Sequence, residues 1–522
     1  MQCAQVRQAH APTLQLPGAA APDGKYGLRY VRYATMLLRN SSTSRSARQK
    51  IENLRNMLFN SFSFLIFFAI VYAFFWVSPT WRVKKYLLLV ASYLFYAAWN
   101  PPYIFLLLIS TLVDWRLARL IGKSVNPKAR RALLLVSLVS NLGLLGYFKY
   151  GSFLLENFVA WCALAGINYH PPAIGIILPI GISFYTFASL SYTIDVYRKE
   201  IRSDWKFSDY ALFVSFFPHL VAGPIVRASL LLPQIENPRS PTKAQVGWGF
   251  MLVCFGLFSK VVMADAIFTP VAEGVFAHPE RYAMIETWLA VFSFSCQIFY
   301  DFSGYSLCAI GLAMSFGFQF PDNFRYPYAA QSLSDFWRRW HISLSSWLRD
   351  YLYIPMGGNR HGQLRTYVAL FLTMLLGGLW HGASWMFVLW GGLHGLYLAV
   401  ERVLRDISMP KLVSVQGRSA LIFLLVTLTW IPFRAGTPGR AFSILRGLVN
   451  GSEIESLDGP KLIAAIAVLL TVRWHFYMRD RRIEEIFLKI GNVGRVGIGA
   501  SLLIGMFLCS GENSNAFIYF QF

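Results

Sequence analysis

The sequence has few charged residues for its length: 14% of its 522 residues are charged, while 55% are hydrophobic. Soluble domains carry about 25% charged residues, so this chain lacks the polar residues that would cover a water-facing surface. Apolar runs take their place, as in FSFLIFFAIVYAFFWV at residues 62–77. A helix needs about 20 mostly apolar residues to cross the hydrocarbon core. Such windows predict an all-α polytopic transmembrane bundle of roughly 11–13 membrane segments, with interfacial and re-entrant helices.

Sequence motifs for metal binding, disulfides and serine hydrolysis are missing as well. The six cysteines are scattered and form no C-x-x-C pair, which argues against a zinc knuckle or a disulfide framework. Neither H-E-x-x-H nor G-x-S-x-G occurs, and these are the marks of zinc metalloproteases and of α/β-hydrolases. The sequence therefore predicts no metal site and no hydrolase of that type.

Acidic residues are also scarce: 48 Lys and Arg oppose 26 Asp and Glu, a net charge of +22. In a soluble protein this excess would suggest a nucleic-acid partner. Here the basic residues stand in short clusters between apolar segments, at residues 82–85, 123–131, 198–202 and 479–482. That distribution is typical of cytoplasmic loops and of contact with anionic headgroups. We therefore expect a lipid bilayer, and no nucleic acid, as the partner.

The first 56 residues differ from the rest. They hold nine Lys or Arg, two acids and no apolar span, which is the composition of a disordered basic extension rather than of a secretory signal. Met57 opens a more usual membrane-protein sequence. We expect that translation starts there or that residues 1–56 are dispensable, and that residues 57–522 form the membrane domain.

A Trp- and Arg-rich stretch at residues 334–353 lies between strong apolar segments. Its apolar side chains recur at three- and four-residue spacing, which predicts a helix at the headgroup boundary. His341 falls on the apolar stripe among the tryptophans. From the residues alone, a role in proton transfer and a buried histidine that serves packing are about equally supported.

A second histidine, His381, lies in the apolar, glycine-rich stretch LLGGLWHGASWMFVLWGGLHG. Ionisable side chains at membrane depth are costly and usually mark functional sites, and an imidazole can transfer protons near neutral pH. The alternative is a structural histidine in glycine-mediated helix packing. We favour function for His381 and structure for His394, whose setting is similar but which no second feature singles out.

Further charged residues in apolar segments include Asp195, Lys260, Asp265 and Asp301. Lys260 and Asp265 are five residues apart, a poor spacing for an ion pair on an α-helix. We therefore expect them to find partners elsewhere or to sit at helix ends, and we expect Asp301 to accept hydrogen bonds within the bundle.

Five segments in order resemble the membrane-bound O-acyltransferase (MBOAT) family, and in particular its bacterial alginate O-acetylation branch. They are FFPHLVAGPIVR, GLFSKVVMADAI, YDFSGYSLCAIGLAMSFGFQFPDNF, DFWRRWHISLSSWLRDYLYIPMGGNR and LLGGLWHGASWMFVLWGGLHG. The resemblance extends from Met57 to Phe522. It implies a ring-like helical bundle, thinned near its middle, with a channel that joins the two membrane faces.

The family's catalytic histidine matches His381, and its second polar position matches His341. The resemblance implies an acyl donor such as acetyl-CoA, which binds from the cytoplasm as a co-substrate, and no permanently bound cofactor. His381 would act as general base on the acceptor hydroxyl, while His341 would orient a substrate or help to carry the proton. Five further residues are expected to contact substrate: Arg338, Arg339, Trp340, Arg360 and Trp380.

The resemblance predicts an inner-membrane enzyme that passes an acetyl group to an exopolysaccharide such as alginate, with a periplasmic acceptor protein that completes the transfer. Peptidoglycan and cellulose are the alternative acceptors. Two other classes stay open: a transporter that moves an acylated carrier without bond chemistry, and a scaffold of an exopolysaccharide export complex. The sequence shows no obvious pair of matching halves, which weakens a transporter built from inverted repeats.

Overall fold

The computed structural model describes residues 57–172, 176–406, 414–450 and 458–509. These residues form α-helices joined by short loops, and none of them forms a β-strand. The α-helices are, in chain order, α1 Phe62–Val77, α2 Trp81–Ala97, α3 Tyr103–Lys123, α4 Pro127–Leu145, α5 Gly151–Leu164, α6 Ile182–Arg198, α7 Phe207–Ser215, α8 Phe217–Leu220, α9 Ala228–Glu236, α10 Lys243–Phe258, α11 Thr269–Ala277, α12 Met284–Ser315, α13 Leu333–Arg339, α14 Ile342–Leu348, α15 Gln363–His381, α16 Trp385–Asp406, α17 Val415–Ala435, α18 Pro438–Gly447, α19 Gly459–Met478, α20 Ile483–Lys489 and α21 Asn492–Cys509. The predicted extension, residues 1–56, lies outside the described residues.

Six described helical stretches are long and apolar enough to cross a membrane: Pro127–Leu164, Lys243–Ala277, Trp385–Arg405, Val415–Ala435, Gly459–Met478 and Asn492–Cys509. The prediction of an all-α polytopic bundle is therefore confirmed. The predicted count of roughly 11–13 segments also includes shorter or more polar helices such as α1, α3 and α15, so the number of crossings stays a prediction.

Three π-helical segments directly follow α-helices: Gly146–Tyr150, Ser259–Phe268 and Arg349–Tyr353. In a π-helix the hydrogen bonds join residues i and i+5, so residues five apart lie near each other. Lys260 and Asp265 therefore pair at 2.8 Å within the second segment, and Lys260 also pairs with Asp301. The expectation from α-helical spacing missed the first of these pairs because the helix changes type here.

The basic clusters of the sequence meet at one end of the bundle. Arginines at this end donate to backbone carbonyls of segments that are distant in the sequence: Arg130 to Tyr197, Arg198 to Asp350 and Arg339 to Arg479. We call this end the basic face; its cytoplasmic location stays a prediction from the positive-inside rule.

The opposite end of the bundle, the outer face, contains residues 176–181. Helix α3 starts there, since the Tyr103 hydroxyl donates to the carbonyl of Ile177, and it ends at Lys123. At about 1.5 Å per residue its 21 residues span roughly 30 Å. Helix α6 likewise starts at Ile182 and ends next to the basic face.

Helices α15 and α16 cross with their backbones in contact. A Cβ atom on Gly378 would lie 2.3 Å from the carbonyl oxygen of Phe387, and one on Gly391 would lie 2.4 Å from that of Met374. Small residues permit such close approach between membrane helices. The crossing holds the C-terminal end of α15, where His381 lies.

We expect Gly391→Ala to destabilise the protein by about 2 kcal/mol, because the added methyl group overpacks this crossing. The measurement is the thermal unfolding of detergent-solubilised protein. Gly392→Ala is the matched control, since the nearest atom to its new Cβ would be 3.9 Å away. Equal unfolding temperatures for the two variants would contradict the tight crossing.

Candidate active site

The predicted single helix at residues 334–353 is in fact two short helices, α13 and α14, which are separated at His341. His341 has φ 42° and ψ 55°, in the left-handed region, where histidine is more common than most residues. Asn323, from another segment, stabilises the break. The backbone carbonyl of Asn323 accepts from the Ile342 N–H, and its side-chain oxygen Oδ1 accepts from the Ser343 N–H. The prediction of one helix was wrong because spacing along the chain carries no information on this contact.

The hydrogen bonds of Asn323 also determine the tautomer of His341. Asn323 Oδ1 accepts from the Ser343 N–H at 3.2 Å and Asn323 Nδ2 lies 3.0 Å from the Ser306 hydroxyl, which distinguishes the oxygen from the nitrogen. Because Oδ1 can only accept, the Nδ1 of His341, 3.2 Å away, carries the proton. The Nε2 atom is then a base, and it is buried without a hydrogen-bond partner among the described residues.

His381 is the last residue of α15 and is 5% exposed. Its ring meets the rings of Trp380, Trp390 and Phe433 edge-on, at centroid distances of 5.0, 5.0 and 5.5 Å. Trp380 also contacts His341, with 6.1 Å between ring centroids. The structure therefore brings the two predicted histidines, which are 40 positions apart, into contact with the same indole.

A cavity of about 150 Å³ lies beside His381. It is lined by residues 178–184, Lys149, Val221, Trp380 and His381, and we call it the outer cavity. Its loop belongs to the outer face, so the cavity connects His381 with the side of the bundle opposite the basic face.

A second cavity, of about 330 Å³, lies among helices α13 to α16 at the basic face. Its inner wall is largely apolar and includes Trp337, Met374 and Leu398. Four arginines also line it: Arg338, Arg349, Arg402 and Arg405. We call it the basic cavity. Arginine side chains together with an apolar wall suit a ligand that has an anionic head and a less polar arm.

Two of the four arginines have no carboxylate partner within the described ranges of the chain. The other two form ion pairs: Arg349 with Asp350 at 2.7 Å and Arg405 with Glu401 at 2.9 Å. Neither Arg338 nor Arg402 forms an ion pair with another described residue, and the buried Nε of Arg402 has no hydrogen-bond partner among them. The basic cavity therefore presents two uncompensated positive charges.

The inner end of the basic cavity approaches His381. Met374 precedes His381 by seven residues on α15, about 10 Å along the helix axis. Trp337 lies 5.9 Å from Trp390, which in turn contacts His381. Aromatic rings thus fill the space between the basic cavity and the imidazole.

The structure brings Arg338 to the basic cavity and Trp380 to the outer cavity, and it places the other predicted contact residues elsewhere. Arg339 is engaged in ion pairs at a separate groove of the basic face. Trp340 is 1% exposed and packs in an aromatic core. Arg360 is exposed and lines neither cavity. Substrate contacts by these three residues stay predictions. The described residues contain no cluster of His, Cys, Asp and Glu that could hold a metal ion.

Neither Asn323 nor Lys149 was predicted from the sequence as a site residue, although Asn323 contacts His341 and Lys149 contacts His381. Lys149 carries a usable signal, because a lysine inside the apolar run LLGYFKYGSFLL is as unusual at membrane depth as a histidine. Asn323 carries none, since asparagine before a loop is ordinary.

A family profile described as "MBOAT, membrane-bound O-acyltransferase family" matches residues 31–431. This match begins upstream of Met57, where the resemblance was expected to start. An Azotobacter vinelandii protein described as "Probable alginate O-acetylase AlgI" is 43% identical over 426 residues, which is 79% of this chain and 84% of the relative. A Pseudomonas putida protein of the same description is 37% identical over 492 residues, 89% of this chain and 100% of the relative.

A Helicobacter pylori protein described as "Peptidoglycan O-acetyltransferase" is 37% identical over 399 residues, 70% of this chain and 74% of the relative. The family profile covers most of the chain, and the long matches to acetyltransferases agree with it. The helical bundle and the paired histidines are consistent with both. The chain belongs to the membrane-bound O-acyltransferase family, and it is a multi-pass membrane enzyme that transfers an acyl group to a hydroxyl.

Proposed function

We propose that this enzyme resides in a bacterial inner membrane and transfers an acetyl group from cytoplasmic acetyl-CoA towards an exopolysaccharide, alginate or a relative, outside the cytoplasm. The observation that carries the proposal is the position of His381, which lines the outer cavity and lies about 10 Å along α15 from Met374 at the inner end of the basic cavity. The two relatives described as alginate O-acetylases support an exopolysaccharide as the final acceptor. The immediate acceptor is the polymer or a periplasmic protein that completes the transfer.

The basic cavity is the proposed donor site. Arg338 and Arg402 are free to bind the phosphates of CoA, because charge-assisted hydrogen bonds from guanidinium groups to phosphate are strong. The apolar wall next to Met374 suits the pantetheine arm. The thioester then lies at the inner end of the cavity, towards His381.

In the proposed reaction, His381 accepts the proton of the acceptor hydroxyl while the hydroxyl oxygen attacks the thioester carbonyl. The neutral imidazole is the form that can do this, and burial of His381 disfavours the charged form. The tetrahedral intermediate then collapses, the carbon–sulfur bond breaks, and the imidazolium returns the proton to the CoA thiolate. His341, whose Nε2 is a base, orients the acceptor by accepting a hydrogen bond.

Purified protein in lipid nanodiscs, supplied with radiolabelled acetyl-CoA and polymannuronate with its periplasmic partner, tests the proposal. We expect release of CoA and label in the polymer. Transport of an acylated carrier without bond chemistry predicts no CoA release, and a scaffold predicts an intact export complex with no transfer. Label in peptidoglycan fragments instead of the uronate polymer would favour the alternative acceptor, to which the similarity with the peptidoglycan O-acetyltransferase points.

We expect Arg402→Met to raise KM for acetyl-CoA about tenfold with little change in kcat, because one charge-assisted contact contributes about 1.5–3 kcal/mol. Arg338→Met should have a similar effect. Initial rates of CoA release check this. Arg281→Met is the control, since that side chain is 68% exposed between α11 and α12. Arg360→Met tests the prediction from the sequence that Arg360 contacts substrate. Wild-type KM in both cavity variants would exclude the basic cavity as the donor site.

A further inference from the structure

Lys149 contacts the end of the helix that carries His381. Its ammonium group donates to the carbonyls of Trp380 and His381, the latter at 3.2 Å. The next residue, Tyr150, donates its hydroxyl to the carbonyl of Leu379 at 2.9 Å. Three consecutive carbonyls at the end of α15 are therefore bound by two consecutive side chains of the π-helical segment Gly146–Tyr150.

These carbonyls need external donors. The last four carbonyls of any α-helix have no partner within the helix, and after His381 the chain turns to an extended conformation at Gly382, with φ −166° and ψ 154°. The chain beyond α15 thus does not continue the helical hydrogen bonds. A cation at this position also interacts favourably with the negative end of the helix dipole.

No acidic residue in the described part of the chain pairs with the charge of Lys149. Lys149 forms no ion pair with another described residue, although it lines the outer cavity beside His381. A charged group at membrane depth is costly, so stability alone would favour an uncharged residue here. The ammonium group also lies 5.6 Å from the ring centroid of Trp380, the indole that contacts both histidines. The ammonium group of Lys149 is therefore held by contacts with Trp380 and His381, and not by an ion pair with a described residue.

We propose that Lys149 is a positioning residue for acyl transfer: by binding the carbonyls of Trp380 and His381, it fixes the imidazole of His381 between the outer cavity and the donor thioester. This inference rests on the proposed function, because it takes His381 as the base. Displacement of a reacting group by about 1 Å can lower a rate about 100-fold. Loss of the ammonium group releases two of the three bound carbonyls.

The test compares Lys149→Met, Lys149→Arg and Tyr150→Phe in nanodiscs. We expect Lys149→Met to lower kcat for acetyl transfer about 100-fold with KM for acetyl-CoA within twofold of wild type, because other residues form the basic cavity. Lys149→Arg, which keeps a cationic donor, should recover kcat to within about tenfold of wild type. Tyr150→Phe removes only the bond to Leu379 and should lower kcat less than Lys149→Met does.

A Lys149→Met enzyme with kcat within threefold of wild type overturns the inference, as does one in which only KM changes. If Lys149→Met gives no folded protein, Lys149→Ala assayed with added propylammonium decides. A saturable increase in kcat supports positioning by the ammonium group, and folded protein without any increase rejects it. If no Lys149 variant folds, the residue serves folding alone and the inference fails. Wild-type protein that releases no CoA rejects the proposed function instead.

Discussion

Acetyl transfer is expected to fall by a factor of about 10²–10⁴ when His381 is replaced by alanine, which is the usual contribution of a general base. The imidazole is 5% exposed, ends helix α15 and lines the outer cavity, which places it at the proposed acceptor side of the site. The quantity to measure is kcat for release of CoA in the presence of acceptor. The apparent affinity for acetyl-CoA should change little, because the basic cavity is formed mainly by other residues.

His394 provides the matched control for this prediction. It is also buried, it also contacts Trp390, at 4.8 Å between centroids, and its Nε2 lies 3.0 Å from the Thr429 hydroxyl. It lines neither cavity. His394→Ala should therefore lower stability while keeping kcat within about tenfold, since only packing and one hydrogen bond are lost. Transfer that persists in His381→Ala, or that is lost equally in both variants, would remove His381 from its proposed role.

The second large effect is expected at His341, where His341→Asn should lower kcat about 100-fold, within the usual contribution of a proton-handling group. Asparagine is the appropriate replacement because the backbone is left-handed at this position, and asparagine tolerates that conformation. The variant therefore removes the Nε2 base and keeps the break between α13 and α14. Single-turnover rates with bound acetyl-CoA measure the effect on the chemical step.

Asn323 gives an independent test of the same arrangement. Asn323→Asp keeps an oxygen that can accept from His341 Nδ1, whereas Asn323→Ala removes it and leaves the tautomer of His341 unspecified. We expect the alanine variant to be about tenfold slower than the aspartate variant, because it loses every hydrogen bond that Oδ1 accepts from His341 and Ser343. Wild-type kcat in His341→Asn would show that the Nε2 base takes no part in transfer.

The sequence was sufficient to predict the membrane bundle and to single out the two histidines, whose catalytic roles stay predictions, because both inferences depend on local composition. Long apolar runs predict helices directly, and an imidazole in an apolar run is conspicuous without any knowledge of its neighbours. Roles that depend on contacts between distant segments were not predicted. Lys149 meets His381 across 232 positions, and no spacing rule relates such residues.

Two further differences between the predictions from the sequence and the structure arise where a helix breaks or changes type. The break at His341 depends on a cap from Asn323, and the Lys260–Asp265 pair depends on a π-helical turn. Both break the regular 3.6-residue period on which pattern analysis relies. Trp340 was expected to contact substrate; its ring is buried among other aromatic rings, and the substrate contact stays a prediction.

The rings of Trp337 and Trp390 lie between the basic cavity and His381, and the two cavities share no lining residue. These two cavities are therefore not continuous with each other. On the proposed function, the acetyl group alone has to pass this aromatic barrier, and the rings would keep bulk water and dissolved ions from following it. Acylation of material outside the membrane would then leave the electrochemical gradient across the same membrane intact.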